Sequence, residues 1–148
     1  MIEFHAGSGP DTQAIGIALE EMFLDYRLMP GRSPLPVIAI GGARIVGAPN
    51  VLMALARKTN RFIPETDAKA WLDAAQPDLA VLDALLSASE FVAGRYSVAD
   101  MALYPRIATS AGAHAGLARW AATLSKRPAL GRGMGVVVLK PTSDRQVR

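Results

Sequence analysis

Phe91-Val92-Ala93-Gly94-Arg95-Tyr96-Ser97-Val98-Ala99-Asp100-Met101-Ala102 contains the strongest local signal in the chain. In Ser97-Val98-Ala99-Asp100 a hydroxyl stands three residues ahead of a carboxylate, the spacing of a capping box, in which each side chain satisfies a backbone N–H that a new helix leaves unpaired. The spacing predicts a helix that starts just after Ser97, with Tyr96 placed to staple onto Met101. Upstream, Trp71, Leu72 and Ala75 begin an apolar helical face, and Leu79, Leu82, Leu85 and Leu86 continue it. Pro77 between them predicts a kink or a break within 67–87. Downstream, a helix around Leu117–Leu124 carries Trp120 and stops near Arg127-Pro128, after which Gly131, Gly133 and Gly135 are expected to loosen the chain. No β-pattern occurs from Glu65 until Val136, so this half reads as all-helical.

The first 62 residues read differently. Ile2–Ala6 suits a buried strand ending in the turn Gly7-Ser8-Gly9-Pro10. Ile15, Ala18, Leu19, Met22 and Phe23 then recur at helical spacing, which predicts an amphipathic helix over Thr12–Phe23 with Glu20 and Glu21 facing away and Asp11 or Thr12 as its cap. Leu24–Met29 reads as a second strand, broken by Pro30-Gly31-Arg32-Ser33-Pro34. Val37–Ile40 and Arg44–Val46, separated by Gly41-Gly42-Ala43, predict an antiparallel hairpin. Val51, Leu52, Leu55 and Ala56 mark a further helix, with Pro49 in its first turn. The expected class is α/β plus all-α: β-α-β-β-β-α over residues 1–62, then a helical domain over 63–148 with a basic tail.

Composition narrows the chemistry. With 148 residues, 51% of them hydrophobic, the chain has a real core to bury, and no run approaches the ~20 apolar residues of a bilayer span. It has no cysteine, which excludes disulfides, thiolate metal sites and cysteine nucleophiles. His5 alternates with apolar strand neighbours and reads as a structural histidine, while His114 has no partner spaced near it; two separated histidines make no metal site. Net charge is +3, made of about +1 over 1–64, −4 over 65–115 and +6 over 116–148. The tail's basic residues are dispersed and lack interleaved aromatics, so neither nucleic acid nor membrane is an expected partner. The amino terminus lacks the pattern of a secretory signal, and a cytoplasmic location is expected.

The order of elements resembles the glutathione transferase superfamily over nearly the whole chain. Met1-Ile2-Glu3 to Ile17-Ala18-Leu19-Glu20-Glu21, with Leu24-Asp25-Tyr26-Arg27-Leu28, is most similar to the bacterial nu class. The Phe91–Ala102 run with Pro105 resembles the folding motif of the family's helical domain, and Trp120 and Arg127-Pro128-Ala129 sit in register. The resemblance implies a trimmed thioredoxin-like domain followed by a reduced helical domain, glutathione as cosubstrate and a homodimer. It also implies a cis bond at Leu35-Pro36, with Leu35 offering its N–H and C=O to the cysteinyl part of glutathione; the residues alone equally allow an ordinary trans turn.

Three departures bear on that implied site. The family's Glu-Ser pair ahead of the third helix, which grips the γ-glutamyl carboxylate, is replaced by Gly47-Ala48. This removes a hydroxyl, places a poor cap and leaves Pro49 without an N–H, so Ala48 and Asn50 are the remaining candidates for holding that carboxylate. Only five residues separate Leu28 from Pro34, too few for the helix the family places there. They still suffice for the crossing, because two strand spacings are about 10 Å and five extended residues reach about 16 Å. Finally, the thiol-activating position falls on Gly9-Pro10-Asp11. Gly9 supplies only its N–H and Asp11 would repel a thiolate, which leaves Ser8 as the nearest hydroxyl, with Thr12 behind it. Ser8 also reads as a plain turn residue and Asp11 as a helix cap. Tyr104 and Arg106 are candidates for lining a substrate cleft between the halves, or for packing there. The expected reaction is transfer of glutathione sulfur to a small electrophile or peroxide; the alternative is a non-catalytic scaffold for protein association or ligand binding.

Overall fold

The computed structural model of the chain describes residues 1–7, 9–31 and 33–136. Four strands form one sheet in the order β2-β1-β3-β4: β1 Ile2–His5, β2 Tyr26–Leu28, β3 Val37–Ile40 and β4 Ala43–Val46. β1 runs parallel to β2 (Phe4 opposite Leu28) and antiparallel to β3 (Phe4 opposite Ile38), and β3 pairs antiparallel with β4. Helix α1, Pro10–Glu21, crosses between β1 and β2, as two parallel strands require. Helix α2, Ala48–Thr59, follows β4. The short β2–β3 connection holds to β1 instead of leaving it: Met29 N–H donates to Phe4 O at 2.9 Å and Ser33 N–H to Ala6 O at 3.0 Å. The connection is thus a strap tied to the end of β1 by the Met29 and Ser33 amides.

The helical half comprises α3 Lys69–Asp73, α4 Leu79–Ala88, α5 Val98–Ile107, α6 Ala115–Ser125 and α7 Pro128–Met134. The break expected at Pro77 is there, and Asp78 caps α4 by accepting from Ala80 and Val81 N–H. The capping box of α5 is complete, and Asp100 does more than close it. Its Oδ2 accepts from Ser97 N–H at 3.1 Å, while Oδ1 accepts from Val92 N–H at 3.1 Å and Trp120 Nε1–H at 2.9 Å. One buried carboxylate therefore joins the 91–96 loop, the head of α5 and the middle of α6. Burial pushes its pKa up, and the hydrogen bonds only partly oppose that. Asp83 of α4 likewise caps α6 from outside, accepting from Gly116 and Leu117 N–H at 2.7 and 3.1 Å.

α1 differs from its expected form. It is buried on nearly every side, Glu20 (1% exposed) and Glu21 (5%) included, because α5 and α7 pack over the face expected to meet water. The two carboxylates are held by partners from distant sequence: Arg132 and Tyr26 on Glu20, Arg127 and Tyr96 on Glu21. α7 lies where a loosened chain was expected, and Gly133 is what lets it in: a Cβ there would collide with the backbone of Ile17. Gly16 opposes it, where a Cβ would stand 2.7 Å from Gly133 O. The glycines thus allow close helix contact and do not mark flexibility. Phe23, expected on the apolar face of α1, lies beyond the helix end and is 68% exposed. No helix among the described residues is long and apolar enough to cross a membrane.

Candidate functional site

The segments named as candidates for a glutathione site are the β1–α1 turn, the lead-in to β3 and the start of α2. A Cβ placed on Gly7, after β1, would stand 3.2 Å from Pro36 N. Pro36 O in turn accepts from Gly47 N–H, at the head of α2, at 2.9 Å. Pro36, in the lead-in to β3, is therefore a common neighbour of the β1–α1 turn and of the head of α2.

The Leu35-Pro36 bond is not cis, because no described peptide bond is cis. The expectation taken from the resemblance is corrected here, and the surroundings explain why. Trans is the default by ~0.5–1 kcal/mol unless packing overrides it, and Leu35 is 52% exposed with nothing closing over it. The strap along β1 delivers the chain to β3 without a reversal at this bond. Leu35 makes no hydrogen bond among the described residues, so its N–H and C=O remain open beside Gly7.

At α2 the N-cap is Gly47 (φ 88°), so Ala48 is the first helical residue and not the cap. Glycine caps nearly as well as serine, so the expected cost of a poor cap does not arise. Ala48 is buried, and its methyl group faces the core. Asn50 turns its Nδ2 back onto Val46 O at 3.0 Å. It also lines a cleft of about 400 Å3 with Pro49, Met53, Arg57, Lys69 and Leu72. Gly9, Leu35, Tyr104 and Arg106 take no part in that cleft.

The head of α1 carries the feature that sequence reasoning missed. Its N-cap is Gly9 (φ 74°, ψ −157°), a conformation essentially confined to glycine. Asp11 makes no cap bond; it accepts from Arg106 Nη2 of α5 at 2.5 Å. The Arg106 side chain is only 9% exposed, and its Nη1, like Thr12 Oγ1 one residue beyond Asp11, is buried with no partner among the described residues. Buried donors left unsatisfied cost ~1–3 kcal/mol each, so two at one helix head are informative. Opposite charges 95 residues apart give no sequence signal of their own. Ser8, the proposed thiol-orienting hydroxyl, lies outside the described residues, between Gly7 and Gly9. Tyr104, the other cleft candidate, packs its ring 5.9 Å from that of Trp120, and burial pushes its phenol pKa up. It serves the helical core, while Arg106 reaches Asp11 at the head of α1.

Chemically, this end offers a glycine amide, a partly neutralised guanidinium and the positive end of α1, all suited to an anion. Next to it is an extended segment with open peptide groups.

No protein-family model matches the chain, and no curated protein matches it. Solved structures do. A glutathione transferase from Burkholderia graminis, with two glutathione molecules bound per subunit, aligns at TM-score 0.73 and 19% identity over 91% of this chain and 88% of that one. One from Streptococcus pneumoniae, complexed with glutathione, aligns at 0.79 and 17% over 95% and 85%. A theta class enzyme from Xanthomonas axonopodis pv. citri, with glutathione bound, aligns at 0.77 and 18% over 92% and 97%. With its mixed four-stranded sheet and the helices that follow, this chain has the glutathione transferase fold, a thioredoxin-like part succeeded by a helical part.

Proposed function

We propose that the chain binds glutathione in the slot between the β1–α1 turn, Leu35-Pro36 and the start of α2, and presents its thiolate to a small electrophile or peroxide. The observation that carries this reading is the Arg106–Asp11 pair. It offsets the one carboxylate that would repel a thiolate and leaves a buried Nη1 donor at the head of α1. The Gly9 N–H and Ser8 orient the sulfur, the open peptide groups of Leu35 meet the cysteinyl backbone, and Asn50 with the α2 head faces a terminal carboxylate. That structural neighbours carry bound glutathione supports the choice of peptide. In transfer to a carbon electrophile, the thiol proton leaves to solvent, a C–S bond forms and the leaving group departs with its electron pair. With a peroxide the sulfur takes one oxygen as the O–O bond breaks, the other oxygen leaves as alcohol or water, and a second glutathione thiol then displaces water to give the disulfide. The units are residues 1–62 and 63–148, and the assembly a homodimer, checked by light scattering. A cytoplasmic setting, where thiols stay reduced, fits this chemistry.

The second reading, a non-catalytic scaffold, is favoured by one specific observation: the residues left at α2 are already engaged, Ala48 in the core and Asn50 on Val46 O. Titration calorimetry with millimolar reduced glutathione separates the two. A saturable heat that weakens in Arg106→Ala supports the binding reading; no heat leaves the scaffold. Unchanged turnover in Ser8→Ala would remove Ser8 from the thiol-orienting role.

A further inference from the structure

A second cleft, of about 820 Å3, opens where α1 and α2 end, so the length of α1, roughly 18 Å for twelve residues, separates it from the slot. Its volume is within the range of small-molecule sites. Three arginines reach it, Arg61, Arg95 and Arg127, among the rings of Phe62, Phe91 and Tyr96. Two of these cations are already committed. Arg95 holds Glu65 through Nε and Nη2, and Arg127 holds Glu21 the same way while lying 4.2 Å over the Tyr96 ring.

Arg61 is different. Its guanidinium contacts two phenyl rings, 5.0 Å from Phe62 and 5.8 Å from Phe23, and pairs with no carboxylate among the described residues. The backbone that arranges this is strained. Phe23, Asn60 and Phe62 are the non-glycine residues at positive φ among those described, at 55°, 54° and 60°. Asn60 tolerates the left-handed region as a helix C-cap, but a phenylalanine there is a true outlier. Both strained phenylalanines are the rings that hold Arg61, and Phe23 is otherwise open to solvent. Backbone strain of this kind persists where the surroundings over-determine it, and it concentrates at ligand sites.

The walls are fixed. Phe62 O accepts from Val98 N–H at 3.0 Å at the head of α5, and Glu65 accepts from Arg95 N–H at 2.9 Å while its own N–H donates to Ala93 O. The negative ends of α1 and α2 point this way, so a net positive charge here has to come from side chains. With Glu65 and Glu21 each matched, the free charge is the one on Arg61.

We propose that this cleft is a second binding site, independent of the slot, for a small organic oxyanion: one carboxylate or phosphate taken by the open edge of Arg61, on a flat apolar body that stacks on Phe62 and Phe91. The planar fork of a guanidinium suits both oxyanions, and contact with two rings positions the fork without neutralising its charge.

The test titrates the 15N-labelled chain by NMR with benzoate, phenyl phosphate, inorganic phosphate and benzyl alcohol. Saturable shifts at the Arg61, Phe62 and Tyr96 amides with benzoate or phenyl phosphate are expected, and which of the two binds tighter identifies the oxyanion. Benzyl alcohol and inorganic phosphate should each bind at least ~10-fold more weakly, since each lacks one half of the ligand. Arg61→Gln, an exposed substitution, should weaken binding at least ~10-fold, and Arg61→Lys should not restore it because an ammonium lacks the fork. Equal binding of benzyl alcohol, unchanged affinity in Arg61→Gln, or no shift at 10 mM of either organic anion (on the order of the weakest specific fragment binding) would overturn the proposal. Arg106→Ala should leave these titrations unchanged, so failure here and failure of the glutathione reading are told apart.

Discussion

The head of α5 and the head of α2 are both helix starts placed against a neighbouring part of the fold, yet they are built in opposite ways. At α5 every group is matched: Ser97 and Asp100 cap the helix, and Asp100 also takes Val92 and Trp120. At α2 a glycine caps without a side chain, a proline removes one amide and Asn50 serves its own turn. The first region holds the structure together, whereas the second presents few side-chain groups able to grip a ligand. The α5 junction is thus complete while the α2 head is sparsely furnished, and under the proposed glutathione reading the weight of binding falls on the head of α1 and Arg106.

The widest test of that contrast is Asp100→Ala, which strands the Trp120 indole N–H and two amides in the core. It is expected to cost about 4 kcal/mol in denaturant unfolding. Ala48→Gly, at the opposing helix head, should cost about 1 kcal/mol or less. Comparable losses at the two sites would dissolve the distinction. Next comes Gly133→Ala, which forces α7 off α1 and should destabilise by about 2–3 kcal/mol, read from the urea midpoint. Arg106→Ala should cost about 2 kcal/mol by leaving Asp11 unpaired, and should weaken glutathione at least ~10-fold. Asp11→Asn sharpens this: if Arg106 acts through its charge, relieving it of a carboxylate should tighten glutathione binding, not weaken it.

The smallest effect is a pH dependence. Burial raises the Asp100 pKa above the ordinary 3.8, so the folded chain binds a proton more readily than the unfolded one. Its contribution to stability is fully present below the unfolded value and is lost as pH rises through the folded one. Unfolding free energies measured across mildly acidic pH should carry this slope in the parent chain and lack it in Asp100→Asn.

What was legible in sequence was local. Ser97 and Asp100 stand three residues apart, Pro77 interrupts its own helix, and the Gly41-Gly42 turn joins adjacent strands, so each reads from neighbours along the chain. What was not legible depends on partners remote in sequence. Glu20 and Glu21 look like a solvent face until α7 brings Arg132 and Arg127 to them. Gly133 looks like a loose linker until Gly16 lies opposite. Asp11 looks like a cap until Arg106 reaches it. The Leu35-Pro36 bond was expected cis from resemblance, and it is trans at an exposed Leu35. The site thus resisted reading because its remaining chemistry lies in pairings between the two halves.

The most direct test of the central claim is a titration of the 15N-labelled chain with reduced glutathione, following the amides of Gly9, Leu35 and Asn50 beside those of Phe62 and Tyr96. Saturable shifts at the first three with the last two unmoved are the expected result. No shift at millimolar peptide, or shifts only at Phe62 and Tyr96, would contradict a glutathione slot at the head of α1.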